Sequence, residues 1–324
     1  MEVLEKYSKS LLQRIDEVVI VKEPKQLYEP VDYILTLGGK RLRPVLTLMT
    51  CDFFGTDFHK AMNAALAIEL FHNFSLIHDD IMDNAPLRRG KETVHEKWDV
   101  NTGILSGDAM LILAYQLFEE YEPKMFQDLA KLFSKTAIEV CEGQQYDVDF
   151  ETRDDVTIPE YIKMIDFKTA VLIGAAMKMG AIVADASTSC KENIYEFGRN
   201  LGIAFQLQDD YLDAFGDPKS FGKQVGGDMI ANKKTFLYLT ALQKSDKLQA
   251  EELEHLFSIN PKDSSDKIKT VKSIFKNSGA AQATIEEISK YTKKANNVLN
   301  KIDLSEDKKG ALRSFGDWLM NRTV

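Results

Sequence analysis

Apolar residues recur at spacings of three and four along most of this 324-residue chain, and strand-like alternation is scarce. That period is the signal of amphipathic helices. It predicts helices over residues 4–20, 30–37, 44–54, 59–83, 103–119, 124–149, 159–184, 190–213 and 233–244. A more polar but still helical pattern runs through 247–324. Pro30 and Pro44 suit the first turns of their helices, where a missing N–H costs no hydrogen bond. Gly38-Gly39 ends the helix before Pro44, and residues 84–100 are polar and turn-rich apart from Val94 and Trp98. Length alone suggests about two domains. No Pro/Gly/Ser-rich linker divides the chain, however, so the expectation is one large all-α domain spanning 1–324.

Two of the predicted helices end in the same acidic pattern, Asp79-Asp80-Ile81-Met82-Asp83 and Asp209-Asp210-Tyr211-Leu212-Asp213. Residues four apart share a helix face, so Asp79 projects with Asp83 and Asp209 with Asp213. Acid in a last turn opposes the helix dipole, and a broken local rule often marks a functional position. Crowded carboxylates call for a cation. Mg²⁺ commonly takes one or two carboxylates together with substrate phosphates. Two such clusters facing one another suit several Mg²⁺ ions around a polyphosphate. His72 lies on the same helix face as Asp79 and Asp83, and Gln206 overlaps the face of Asp209, Asp210 and Asp213.

The charge balance narrows the ligand. Lys and Arg number 41 against 50 Asp and Glu, a net charge of −9. Bulk attraction to nucleic acid or to an anionic membrane is therefore not expected, and an anion must be held by local basic clusters. These occur at Lys40-Arg41-Leu42-Arg43, at Arg88-Arg89-Gly90-Lys91, at Lys168-Thr169, at Lys223 in a Gly-rich loop, and at Lys233-Lys234. Arginine suits bidentate phosphate contacts and lysine point-charge contacts. Acidic and basic clusters together suggest two kinds of diphosphate site, one bridged by Mg²⁺ and one held directly by Lys and Arg. Cys51, Cys141 and Cys190 form no CxxC pair and read as buried reduced thiols. The charged N-terminal pattern is no secretory signal, and no stretch approaches the ~18 continuous apolar residues of a membrane span. The expectation is a cytoplasmic protein.

The ordered segments GGKRLRP (38–44), HNFSLIHDDIMD (72–83), LRRG (87–90), FKTA (167–170), GIAFQLQDDYLD (202–213) and GKQVGGD (222–228) resemble the trans-isoprenyl diphosphate synthases, or polyprenyl synthetases. The match runs in order through about residues 30–240. The resemblance implies an all-α bundle around a deep central cavity, usually a homodimer, and Mg²⁺-dependent head-to-tail prenyl transfer. An allylic diphosphate (dimethylallyl, geranyl or farnesyl) would bind with Mg²⁺ at Asp79, Asp80, Asp83 and Asp209, with Asp210 and Asp213 in support. Position by position, Arg88, Lys168, Lys223 and Lys233 would also hold it. Lys40, Arg43, His72 and Arg89 would hold isopentenyl diphosphate without metal. Thr169 and Gln206 would line the allylic cation. No nucleophilic residue or separate general base is required, since departing pyrophosphate can take the proton.

Residues just before Asp79 are expected to set product length. At ~1.5 Å rise per residue, Phe74 lies about 7–8 Å and Phe71 about 12 Å along the helix axis from Asp79. Ser75, one turn before Asp79, is small and leaves the first stretch open. This pattern is similar to geranylgeranyl-type members, which favours a C20 product over C15 farnesyl diphosphate. A terpene cyclase would normally replace the second acidic motif, and a regulatory subunit of a heteromeric synthase tends to lose one. Both motifs are whole here. A plain helical interaction protein would leave the acidic and basic clusters without a purpose.

Overall fold

A computed structural model of the chain describes residues 2–18, 21–217 and 225–320. The helices are α1 (Glu2–Val18), α2 (Lys25–Thr36), α3 (Leu42–Phe53), α4 (Met62–Met82), α5 (Val94–Lys97), α6 (Val100–Gln116), α7 (Pro123–Thr152), α8 (Ile158–Ile165), α9 (Val171–Val183) and α10 (Thr188–Phe215). They continue as α11 (Gly227–Ile230), α12 (Phe236–Lys244), α13 (Lys247–Leu256), α14 (Ser265–Asn277), α15 (Ala280–Leu299) and α16 (Glu306–Met320). A two-stranded hairpin, β1 (Leu87–Arg88) and β2 (Lys91–Glu92), contains the only strands among the described residues. The all-α expectation holds, and the polar tail folds into four helices.

Three local expectations need correction. Helix α2 begins at Lys25, so Pro30 lies inside it rather than in its first turn. Pro30 is buried with Val31, Ile34 and Leu35, and packing of that face outweighs the hydrogen bond the proline cannot make. Helix α6 starts at Val100 rather than 103 because Asp99 caps it, its Oδ1 accepting the Thr102 amide at 2.9 Å. The predicted helix 159–184 is interrupted by a π turn, Asp166–Ala170, between α8 and α9.

The chain divides into two compact units, Met1–Ala137 with Ala175–Tyr195, and Ile138–Gly174 with Glu196–Val324. In the first unit α4 is buried nearly all round, and its small residues Ala64, Ala65 and Ala67 admit close neighbours. Gly107 lets α6 approach α4, since a Cβ there would stand 2.4 Å from His78 Nε2. His78 in turn donates from Nε2 to the Ile104 carbonyl at 3.2 Å. Helix α1 is fastened to α3 by the buried Tyr7, whose hydroxyl donates to Asp52 at 2.6 Å.

In the second unit Leu207 of α10, Phe236 and Leu237 of α12, and Val271 and Phe275 of α14 share one apolar core. The π turn lies against two glycines. A Cβ on Gly143 of α7 would fall 2.3 Å from the Lys168 amide nitrogen, and one on Gly202 of α10 2.6 Å from Ala170 Cα. Asp166, the first residue of the turn, is buried and held by the Arg199 guanidinium in a two-point ion pair. Such π turns recur at functional positions.

Candidate functional site

In the first unit the acidic motif occupies the end of α4, with Asp83 as its C-cap. Asp80 is buried and takes both its hydrogen bonds from Arg88 of the hairpin, Nε to Oδ2 and Nη2 to Oδ1, each 2.7 Å. This bidentate pair fixes the hairpin against α4, and with it the neighbouring Arg89. Arg89 has a positive φ of 54° and donates to the Gly38 carbonyl. Its guanidinium lies so close to Gly39 that a Cβ there would meet it at 2.8 Å.

The GGKRLR turn is tied to the same helix. Arg41 adopts the left-handed conformation, φ 47°, and starts α3. Its guanidinium is buried, pairing with Glu69 of α4 and donating to the Leu35 carbonyl. Asn73 donates to the Glu69 carboxylate at 2.9 Å and to its backbone carbonyl at 2.8 Å. Two residues on from Arg41, Arg43 donates to His72 Nε2 at 3.1 Å. The His72 proton therefore sits on Nδ1, and the ring is neutral. Burial, then the guanidiniums of Arg43, Arg89, Arg88 and Arg41, hold His72 well below the usual imidazole range. Burial also pushes Arg43 down to about 10, against the pull of Glu69, so it stays charged at neutral pH. Arg43 Nε is buried without a partner. Arg43, His72 and Arg89 thus form one electropositive cluster beside exposed Lys40. Such a cluster, with an unmatched donor inside it, suits an anion with several oxygens.

Upstream on α4, Phe71 is fully buried and Phe74 half-buried, their ring centroids 5.5 Å apart. Phe74 meets the His78 ring edge-on at 4.7 Å, while Phe71 packs on Phe133 of α7 at 5.2 Å. Phe133 in turn touches Phe118 and Tyr115. Ser75 bonds its hydroxyl to the His72 carbonyl at 2.9 Å, so it adds little bulk one turn before Asp79.

In the second unit the other motif ends α10. Asp210 is buried, accepts from the Tyr161 hydroxyl, and accepts from Gln206 Nε2 at 3.0 Å. Gln206 Oε1 accepts from Thr169 at 3.2 Å, which connects the π turn to the motif. Asp213 accepts the amides of Gly227 at 3.1 Å and Asp228 at 3.0 Å, so it caps the short helix α11. Burial and then the charge of Asp228 raise the Asp210 carboxyl well above the ordinary carboxylate range, outweighing the Tyr161 and Gln206 hydrogen bonds.

Lys168 and Lys233 converge on Asp147 of α7, at 2.6 Å and 3.6 Å, and Lys233 also meets Glu151 at 2.8 Å. Burial would raise the Asp147 carboxyl, but the two ammoniums outweigh it and hold the group ionised. Gln144, one turn earlier, is buried with both amide atoms unpartnered. Lys223 lies outside the described residues.

Several residues here escaped the sequence reading. Glu69 had a signal, a carboxylate within the apolar run 64–71. So did Gln144 and Asp147, polar positions interrupting α7. Tyr161 carried none, because its role comes from where α8 packs.

The sequence profile described as polyprenyl synthetase matches residues 24–275. A geranylgeranyl diphosphate synthase of Methanosarcina mazei is 42% identical over 236 residues, covering 72% of this chain and 73% of its own. A short chain isoprenyl diphosphate synthase of Methanothermobacter thermautotrophicus is 35% identical over 99% of this chain and 98% of its own. Among solved structures, a geranylgeranyl pyrophosphate synthase is 54% identical with a TM-score of 0.95, covering 99% of both chains. The chain belongs to the polyprenyl synthetase family, and it is a prenyltransferase.

Proposed function

We propose that this enzyme condenses isopentenyl diphosphate head-to-tail with an allylic diphosphate (dimethylallyl, geranyl or farnesyl) to give all-trans geranylgeranyl diphosphate, C20. The observation that carries the reading is the arginine cluster around neutral His72, a ready diphosphate site on the helix that bears the first acidic motif. The geranylgeranyl synthases among its relatives support the C20 product.

Isopentenyl diphosphate is held by Lys40, Arg43, His72 and Arg89, with Arg41 and Glu69 keeping the turn in place. The allylic diphosphate is held by Arg88, Lys168, Lys223 and Lys233 and by the Mg²⁺ ligands drawn from Asp79, Asp80, Asp83, Asp209, Asp210 and Asp213. Asp80, Asp210 and Asp213 also accept from protein donors, which hold their carboxylates in place. Among the described residues no three carboxylate, imidazole or thiol groups converge tightly enough to cage a metal alone. Mg²⁺ bound there would complete its shell with substrate oxygens and water. A cation bound there would relieve the crowding of Asp210 by Asp228. When bound, Mg²⁺ would supply Lewis-acid charge to the departing pyrophosphate. Thr169 and Gln206 turn oxygen dipoles toward the allylic cation left by C–O cleavage. The isopentenyl double bond attacks that cation, and pyrophosphate takes the proton that is then lost.

We also read the enzyme as one functional domain, since α7, α9 and α10 run without a linker through the boundary of the two compact units. Leu105 and Ile112, seven residues apart on α6, are 60% and 59% exposed, which supports burial of this face in a homodimer. No described helix is long and apolar enough to cross a membrane. All three cysteines are free thiols, Cys51 and Cys190 buried as expected but Cys141 of α7 exposed. A cytoplasmic location is part of the same proposal. The test is a product assay with Mg²⁺, labelled isopentenyl diphosphate and each allylic primer. A ladder ending at C20 is expected. Folded enzyme that elongates no primer would overturn the reading.

A further inference from the structure

The segment after α12 has no part in the site as described, yet it contains a lysine in an uncommon setting. Lys267, near the start of α14, is only 3% exposed. Its ammonium donates to Asn232 Oδ1 and, at 3.0 Å, to the Ile259 carbonyl. The Phe257 ring lies 5.7 Å away. No salt bridge to Lys267 occurs among the described residues. Burying an ammonium on neutral acceptors is costly, and an exposed position would have been cheaper for stability alone.

What the lysine grips is the residue before Lys233. Asn232 has φ 57°, the left-handed turn that asparagine tolerates better than most residues. Its side-chain amide is held from both ends, Oδ1 by Lys267 and Nδ2 by Asn260 Oδ1 at 2.9 Å. The turn fixes where the chain leaves α11 and therefore where Lys233 begins its reach to Asp147 and Glu151. The same helix supports the other end of α11. A Cβ on Gly226 would stand 2.9 Å from Ile268 Cδ1, so α14 lies directly under the turn whose next amides Asp213 accepts. The segment from Gly226 to Lys234 is thus clamped at α14 by Ile268 and Lys267, at α10 by Asp213, and at the end of α7 by Lys234 on the Arg153 carbonyl.

We propose that Lys267, acting through the Asn232 side chain, is a positioning residue that aims Lys233 at the allylic diphosphate. This rests on the assignment of Lys233 to that diphosphate. Helix α14 thereby takes part in substrate binding through α11, with no side chain of α14 assigned to either diphosphate.

The test compares Lys267→Met, Asn232→Gly and Lys233→Met in the full chain. Asn232→Gly keeps the left-handed turn without strain and removes only the side-chain anchor. Steady-state kinetics with geranyl diphosphate and isopentenyl diphosphate, and thermal melting, are measured on each. Lys233→Met is expected to raise KM for geranyl diphosphate about 10-fold, the size of one lost charge-assisted hydrogen bond. Lys267→Met and Asn232→Gly should each raise it by about 3- to 10-fold on the same basis, with KM for isopentenyl diphosphate unchanged. Adding either change to Lys233→Met should raise it no further. A purely structural anchor would lower the melting temperature and leave both KM values alone, and that result would overturn the proposal. Should Lys267→Met not fold, Asn232→Gly decides on its own. An unchanged KM in Lys233→Met would instead remove Lys233 from the allylic site, a separate failure.

Discussion

Gly143→Ala tests whether the π turn is held in place by close backbone approach. The new Cβ would stand 2.3 Å from the Lys168 amide nitrogen and 2.7 Å from both Lys168 Cα and the Phe167 carbonyl carbon. Ordinary contact begins near 3.4 Å, so α7 and the turn must part by about 1 Å. The atoms in the way are backbone, which cannot swing aside like a side-chain tip. Retreat toward α10 is restricted, because Ala170 already lies against Gly202. Overpacking costs about 1–3 kcal/mol, and alanine returns up to about 1 kcal/mol of helix propensity. A net loss of about 1–2 kcal/mol follows, a fall of a few degrees in melting temperature. The kinetic loss should be larger in proportion. Lys168 and Thr169 ride on the displaced turn, and about 1 Å of misplacement can cost on the order of 100-fold in rate. Gly310→Ala is the control, since a Cβ there meets nothing within 4 Å. It lies in α16 and should stabilise slightly. The assay is kcat/KM for the allylic substrate alongside thermal melting. Wild-type melting and turnover in Gly143→Ala would refute the packing argument, and reduced stability with unchanged kinetics would refute its link to Lys168.

Glu69→Ala strands the buried Arg41 guanidinium and should cost about 3–5 kcal/mol in urea unfolding. Arg41→Met with Glu69→Leu should recover much of that, and additive losses across the cycle would show that the pair does not act as a unit. His72 has a folded pKa below 6.5, so as pH falls under 6.5 the unfolded chain takes the proton first. Its contribution to stability is full above that pH and is lost toward the folded pKa. Melting curves from pH 8 to 5 should show a shallower acid slope for His72→Gln, which still offers Arg43 an oxygen acceptor, and equal slopes would refute the shift. Phe74→Ala should lengthen the product by about one isoprene unit, because the buried Phe71, propped by Phe133, remains behind it. An unchanged product distribution would place the floor elsewhere.

The helices and the chemistry-bearing motifs were legible because both are local. A 3.6-residue period, a DDxxD ending an apolar run and a GGKRLR turn are each written within a short window. Exceptions come from packing, as where a buried face carries Pro30 into a helix interior. What could not be read were partners. Asp147 collects Lys168 from 21 residues away, and Glu151 collects Lys233 from 82. Tyr161 reaches Asp210 across 49 residues. Periodicity says that such side chains share a face with their neighbours in sequence, and it is silent on which helix packs opposite.

The same distinction applies to Arg41 and Arg43, which charge alone places in one basic turn and which are not alike in the fold. Both belong to one basic turn, but Arg41 is turned inward by a left-handed backbone onto Glu69, while Arg43 donates to neutral His72. A buried carboxylate pairs with the first guanidinium and a neutral imidazole meets the second, although each keeps a buried Nε without a partner. Charge counting alone would have assigned both to the diphosphate. The identity of the partner separates a cation that assembles the turn from one proposed to meet the substrate, and the Glu69 and His72 variants probe those two roles independently.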